Sequence, residues 1–539
     1  MDPATLWKIV GVSVYLLALL SIGIAASFRM KDVKDYFAGG KQLGFWAVAF
    51  SARATGESAW LLLGLTGMGA ALGVHAFWVV VGEVLGVMGA WLLLSKRFKR
   101  LTDRYDSITV PDYLESRFRD RSKILRIVSA LALLVFVTIY VSAQIDATGK
   151  AFEEFIGLTY LPESWALAVT SGDGFFAENA AWLFGILIGF TVVLTYSTFG
   201  GFLAVVWSDI FQGVLMFFGL VTLPLVGLWA AGGPSVVYSD LMAIDPGLLS
   251  IFGPSGFSIK ALFGILGLAL IGLGFLGSPQ IFVRFLALKS DTEIPKGAAV
   301  AFVWTLLADS GAVLTGIVGR SLVHRDHSAS TELENGSWEG ILPHMVETLL
   351  PAVLIGLFIA IVLSAIMSTV DSLLVLAASA LARDVYQKVF RTDITDTQLL
   401  SISRFATFGL AIIALIIALS VGYLAEERTI FWFVIFGWSG IAATFCPTLI
   451  LSLFWSKMTR YGAVASMIAG FLCVPLFKFV PPLILAVLPL EPIEWLIAMG
   501  ELPPAFLVAG IAGILVSIIH PPSTEEVEEV RRELSAAGG

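Results

Sequence analysis

The sequence predicts an all-α polytopic membrane protein, and three observations carry that prediction. The 539 residues have a mean hydropathy of +0.89. Of them 58% are hydrophobic and only 14% charged, against about 25% charged in an ordinary soluble domain. A soluble chain of this length would lack the residues to cover its own surface. The apolar residues also fall in long unbroken runs, such as 9–28 (IVGVSVYLLALLSIGIAASF), where an outer-membrane barrel would alternate polar and apolar positions over segments of about ten.

Runs of about 20 apolar residues place spans near 6–28, 44–72, 74–96, 124–155, 180–199, 202–231, 258–287, 296–322, 345–382, 401–422, 429–454, 461–481 and 503–520, about thirteen in all. The first is long, carries little charge at its start and is followed by many more, so it reads as a retained span rather than a signal peptide. Between 157 and 180, Gly172 and Asp173 interrupt an apolar stretch.

Orientation follows from Lys and Arg, which resist translocation in short loops. The loop after the third span holds Lys96, Arg97, Lys99, Arg100, Arg104, Arg117, Arg119, Arg121 and Lys123. Loops of the same parity hold Arg29, Lys31, Lys34 and Lys41, then Lys289 and Lys296, Arg383 and Lys388, and Lys457 and Arg460. The opposite loops, at 157–179, 233–257 and 481–502, contain no Lys or Arg. The expectation is a multi-pass plasma-membrane protein (bacterial inner membrane if prokaryotic), with the N-terminus outside and the C-terminus cytoplasmic. Residues 1–520 then form one transmembrane domain and 521–539 a short cytoplasmic tail, too short for a signalling module. Its two cysteines, Cys446 and Cys473, lie in apolar segments, which excludes a disulfide framework or cysteine metal cluster. The net charge of −8 leaves no basic patch for nucleic acid. The partners implied are the lipid bilayer and a small solute, with no obligate protein partner evident.

An ionisable group inside a span is a functional candidate by default. Those expected here are Arg53, Glu57, Glu83, Asp146, Asp209, Asp309 and Asp371. The second span, SARATGESAWLLLGLTGMGAALG from Ser51 to Gly73, crowds small and polar residues into its first half. Gly56, beside Thr55 and Ser58, predicts a break in the helix, which would free the carbonyls of Ala54 and Glu57 for a cation at mid-membrane. Arg53 and Glu57 are four apart, so on an intact helix they share a face and can pair. In the ninth span Ser364, Ser368 and Ser372 recur every four residues and Thr369 adjoins Ser368. Hydroxyls and carbonyls together make a hard-oxygen cage suited to a sodium-sized ion. The seventh span contains GLGFLGSP, Gly272 to Pro279, predicting a second interrupted helix; two such helices imply a central solute site. No plausible nucleophile and base lie within the membrane, so an enzyme is not expected.

These residues bring a family into view. The chain resembles the sodium:solute symporters, and within them the sodium/proline branch, through YFAGGKQLG (36–44), SARATGESAWLLLGLTG (51–67), TVPDYLESRF (109–118), RSKILRIVSALALLVFVTIY (121–140), GGFLAVVWSDIFQ (200–212), LSAIMSTVDS (363–372) and FWSKMTRYGAVASMIAG (454–470). The resemblance implies a LeuT-type core of two inverted five-helix repeats, about 44–231 and 258–454, and alternating access. It implies a sodium site made by the carbonyls of Ala54, Glu57 and Ala365 and the hydroxyls of Ser368 and Thr369. It also matches Asp209 to a functionally important carboxylate and Lys41 to a basic residue near the cytoplasmic ion path, and puts Ser58, Trp60 and Tyr140 in or beside the solute pocket. The function implied is sodium-coupled uptake of a small zwitterionic solute, proline or a related amino acid first.

The chain departs from the branch at the site itself. Gly56 stands where the branch has an aspartate, Glu57 where it has methionine and Arg53 where it has glycine; Ala59 replaces a glycine, and Ile271 and Phe275 replace a tryptophan and a tyrosine. The alternative these departures raise is a proton-coupled or ion-independent carrier using Glu57 and Arg53. A membrane solute sensor is a further alternative, disfavoured by the short tail.

Overall fold

In a bilayer the backbone must satisfy its own polar groups, and this chain does so with helices throughout. The structure, a computed structural model, describes residues 3–28, 39–158, 169–171, 174–325, 333, 337–391, 393–425 and 429–538. The expected features at Arg29, Lys31, Lys34, Gly172 and Asp173 lie outside those residues.

Eleven helical stretches among the described residues are long and apolar enough to cross a membrane. One of them, Phe45–Arg104, is 60 residues long and holds two expected spans. It turns at Gly73, where φ is 61°, and Lys41, just before it, pairs with Asp103, near its end, at 3.2 Å. Two residues 62 apart in sequence can meet this way only if the stretch doubles back as a hairpin. The helix Ala180–Ala231 likewise carries a left-handed Gly201 (φ 56°) at the expected boundary between the fifth and sixth spans, and Ala180–Thr191 is too short to be counted by length alone. The expected thirteen is therefore reached only by counting both halves of these two stretches.

The surface is inverted relative to a soluble protein. Large apolar side chains such as Leu85, Leu93, Trp229 and Phe405 are mostly exposed and belong against lipid chains. Acidic and basic groups in the middle of the spans are inside. Arg53, Glu57, Glu83, Asp146, Asp209, Asp309 and Asp371, the seven ionisable groups singled out from the sequence, are all at most 1% exposed.

Two interrupted helices cross this interior. The second span runs as Phe45–Ala59 with non-helical Ser58 (φ 44°, ψ −166°), then continues as the wider helix Trp60–Leu65 and the α-helix Thr66–Leu72. The break lies two residues beyond Gly56. Gly56 itself is helical, and its missing Cβ serves close packing instead: a Cβ there would lie 2.9 Å from Cε1 of Phe275. The seventh span is Ile259–Ala269, a tight turn of helix Leu270–Leu276, then Pro279–Ala287 beyond the interruption at Gly277 and Ser278, where the sequence predicts it. The third span rests on that tight segment backbone to backbone. A Cβ on Gly82 would meet the Ala269 carbonyl at 1.9 Å, and one on Gly86 would meet that of Gly272 at 2.1 Å. This contact fixes the position of Glu83 between them.

At one end of the bundle the basic loops are tied together. Arg100 pairs with Asp291 at 2.8 Å, Arg383 with Asp112 at 3.0 Å and Arg460 with Asp120 at 3.6 Å. Burial works to raise the pKa of the Asp112 carboxyl, but the guanidiniums of Arg383 and Arg126 outweigh it and hold the value at about 2; the acid stays ionised at any physiological pH. The tail is also part of this end. It forms the helix Thr524–Gly538, with Val530, Leu534 and Ala537 buried.

Candidate functional site

The ninth span, Ala352–Ser379, passes the second span just before its break. Ser368 Oγ donates to the Ala54 carbonyl at 2.9 Å and also lies 3.1 Å from that of Ala365. Thr369 Oγ1 donates to the Thr55 carbonyl at 3.0 Å and lies 3.2 Å from the same Ala365 oxygen. Five oxygens on two spans therefore converge, all on buried residues. These are hard ligands of the kind sodium takes. The hydroxyl hydrogens now satisfy the carbonyls, and each hydroxyl keeps lone pairs that a cation could use if the hydrogen rotated away. Of the carbonyls expected in the cage, Ala54 and Ala365 are in place. That of Glu57 instead accepts from Trp60 N–H, and Thr55 supplies the carbonyl that the sequence reading did not name. Ser364 donates back to the Ala360 carbonyl at 2.7 Å and faces Tyr15 of the first helix, away from the cage.

The break at Ser58 exposes polar groups to the centre of the bundle. Tyr140 Oη donates to Ser58 Oγ at 3.4 Å, Gln144 Nε2 donates to the same oxygen at 3.3 Å, and Gln144 Oε1 accepts from Ala59 N–H at 3.1 Å. Trp60 Nε1 reaches back to the Gly56 carbonyl at 3.1 Å. On the facing side, Trp438 Nε1 donates to the Ile271 carbonyl at 3.1 Å, and the Phe275 and Trp438 rings lie 5.0 Å apart. Ser58, Ala59, Trp60, Tyr140, Ile271 and Phe275 thus gather around one region of small polar and aromatic surface. Gln144 and Trp438 belong to it too, and the sequence reading passed over both. An uncharged amide and an indole inside apolar runs carry little signal alone.

The charged candidates divide. Asp209 accepts from Ser51 Oγ at 2.6 Å and pairs with Arg284 at 2.9 Å; Arg284 also donates to Thr55 Oγ1 and Ser372 Oγ, each at 2.6 Å. This network adjoins the cage through Thr55. Arg284 was also missed, although a basic residue in the half-helix beyond Pro279 carries the same signal used for other intramembrane charges. Asp371 bonds its neighbour's backbone, Ser372 N–H, at 2.6 Å. Lys41 is elsewhere, donating to the Thr102 carbonyl at 3.1 Å and pairing with Asp103, where it closes the base of the hairpin. Arg53 pairs with Glu57, as their spacing predicts, and its guanidinium lies 4.9 Å from the centre of the Phe275 ring. Gly56, Arg53, Glu57 and Phe275, four of the departures from the resembled branch, are therefore mutual neighbours.

A helical bundle with two broken spans facing an oxygen cage and a cluster of aromatic and polar side chains has the makings of a membrane solute carrier. The model of the sodium:solute symporter family matches residues 36–470, and the chain belongs to that family. It is accordingly a symporter and not an enzyme. It is 35% identical to the high-affinity proline transporter PutP of Bacillus subtilis strain 168 over 84% of this chain and 88% of that protein. It is 32% identical to the osmoregulated proline transporter OpuE of the same strain, over 95% and 94%, and 30% identical to the sodium/proline symporter of Escherichia coli K12, over 94% and 92%. Among solved structures, a substrate-bound, outward-open Na+-coupled sialic acid symporter superimposes with a TM-score of 0.70 at 17% identity, covering 95% of this chain and 98% of that one. The transporter MhsT in complex with L-phenylalanine gives 0.52 at 16%, covering 88% and 98%. These likenesses establish the LeuT-type fold expected from the sequence.

Proposed function

We propose that the chain imports proline, or a closely related zwitterionic amino acid, driven by sodium. The observation that carries this reading is the pair of hydroxyls on Ser368 and Thr369 seated on the Ala54 and Thr55 carbonyls at 2.9 and 3.0 Å, a ready cation cage one turn from the break at Ser58. The names of the relatives support both the ion and the solute. The repeats cover about 44–231 and 258–454, with the tail at 521–539 and the basic loops on the cytoplasmic side. A sodium ion in the cage joins the second span to the ninth and so sets the turn that carries Ser58 and Trp60, beside which the solute binds. Ion and solute then favour the same state, the reciprocal linkage that symport requires. Each inward charge adds about 2.3 kcal/mol per 100 mV of membrane potential.

The test is uptake of radiolabelled proline into proteoliposomes with sodium and proton gradients imposed separately. Accumulation should follow the sodium gradient and vanish without it. Equal uptake with no sodium on either side, driven by a proton gradient, would replace sodium with the carrier based on Glu57 and Arg53. Binding without any uptake would make the chain a sensor.

A further inference from the structure

Four charged side chains from three spans meet beside the cage: Arg53 and Glu57 of the second, Glu83 of the third and Asp309 of the eighth. Carboxylate oxygens of Glu57, Glu83 and Asp309 lie within 4.8 Å of one another. Arg53 Nη2 pairs with Glu57 and lies 3.7 Å from Glu83 and 3.8 Å from Asp309. One guanidinium thus faces three carboxyl groups, all on side chains at most 1% exposed. Apart from the Arg53–Glu57 pair, no hydrogen bond from the described residues reaches the carboxyl oxygens of Glu83 or Asp309.

A charge network that served only to hold helices together would be near neutral and fully hydrogen-bonded, because an uncompensated buried carboxylate costs several kcal/mol. Here one guanidinium serves three acids, and two of those acids accept no hydrogen bond from the described residues. Glu83 has no room to withdraw, since the glycines on both sides of it press the third span against the seventh. Arg53 is already supported on its other side by the faces of Phe275 and Trp304, 4.9 and 5.4 Å from its guanidinium carbon, within the range of a cation–π contact. Three oxygens no more than 4.8 Å apart leave a point at most about 2.8 Å from each, close to the roughly 2.3–2.6 Å at which larger hard cations bind oxygen.

We propose that Glu57, Glu83 and Asp309 form a second cation site, which takes a sodium ion on carboxylate oxygens while Arg53 turns its charge away from them and keeps the aromatic faces it already touches. The proposal rests on the reading of the chain as a sodium-coupled carrier and adds to it a second ion. Glu57 links the two sites, because it lies on the same turn as the Ala54 and Thr55 carbonyls of the cage. An ion held by its carboxylate restrains the backbone from which the first ion is held.

The experiment is equilibrium binding of radiolabelled sodium to the purified full chain in lipid nanodiscs, without solute, paired with thermal unfolding across a sodium titration. Wild type should bind two ions. The double variant Glu83→Gln with Asp309→Asn leaves Arg53 and Glu57 as a charge-balanced pair; it should fold, bind one ion and lose part of the sodium-dependent rise in unfolding temperature. Thr369→Ala should also bind one, through the other site. If the double variant aggregates, Glu83→Gln alone should weaken one of the two binding steps at least tenfold. Two ions retained by the folded double variant would overturn the proposal. A single wild-type ion abolished by Thr369→Ala would also overturn it, with the cage and sodium coupling left standing. No sodium bound by wild type would remove both readings. Occupation of the acidic site by calcium without competition from sodium would overturn the sodium assignment.

Discussion

Thr369 is the residue whose loss should be most specific. Its hydroxyl bonds the carbonyls of Thr55 and Ala365 rather than the groups around Ser58, so Thr369→Ala removes a ligand of the proposed cage and leaves the proposed solute region as it is. A hydrogen bond or ligand of this kind contributes about 1–1.5 kcal/mol net, which predicts a roughly tenfold higher sodium concentration for half-maximal proline uptake and near-normal uptake at saturating sodium. Thr369→Ser, which keeps the hydroxyl, should restore the wild-type value. A sodium dependence unchanged in the alanine variant would remove Thr369 from the cage. Gly56 illustrates a different logic at the same scale. Where the resembled branch has an acid, this chain has no side chain at all, because Phe275 fills the space.

The broken second span is held open by Gln144 of the neighbouring helix Ile124–Phe155. Its amide oxygen takes the Ala59 N–H that the break leaves without a helical partner, and its nitrogen reaches Ser58 Oγ. Gln144→Leu would leave that buried donor unsatisfied at a cost of about 1–3 kcal/mol. The expected outcome is a lower unfolding temperature in detergent and reduced proline affinity, whereas Gln144→Glu, which keeps an acceptor for Ala59 N–H, should retain more of both; equal stability of the leucine variant and wild type would show that the break is held by other contacts. Much of this element was legible in the sequence. Crowded small and polar residues announced a break, and serines at four-residue spacing announced a polar face on the ninth span. The break's position was not legible, since glycine is a poor helix former and only the packing of Phe275 shows why Gly56 remains helical while Ser58 takes a positive φ. Nor could the sequence show that Glu83 and Asp309 converge on Arg53. Each was visible as an intramembrane charge, but convergence depends on which faces of three spans meet.

At the scale of the whole molecule, the end that gathers the basic loops also holds the chain's last helix. Tyr105 Oη donates to Glu533 at 2.6 Å, Arg104 pairs with Glu533 at 3.3 Å and Arg119 with Glu529 at 2.8 Å, while Arg100 donates to the Ala537 carbonyl at 3.4 Å. Sequence reasoning expected a short tail and found no packing signal in it, yet Val530 and Leu534 sit four apart on one face and are buried, so the helix is amphipathic and docked. Exposed ion pairs are individually worth at most about 1 kcal/mol, and the buried apolar residues contribute about 1.5–3 kcal/mol each. The docked state should therefore survive loss of one pair and yield to reversal of both. Glu529→Lys with Glu533→Lys replaces attraction by repulsion against Arg104 and Arg119. A change of about 2 kcal/mol raises the undocked fraction roughly thirtyfold. Trypsin cleavage at Arg531 and Arg532 reads that fraction directly, because a docked helix resists the protease and an undocked one does not. Cleavage in the double variant should be at least tenfold faster than in wild type, and moderate salt should accelerate wild-type cleavage by screening the same pairs. An unchanged rate in both experiments would mean that apolar burial alone holds the helix in place.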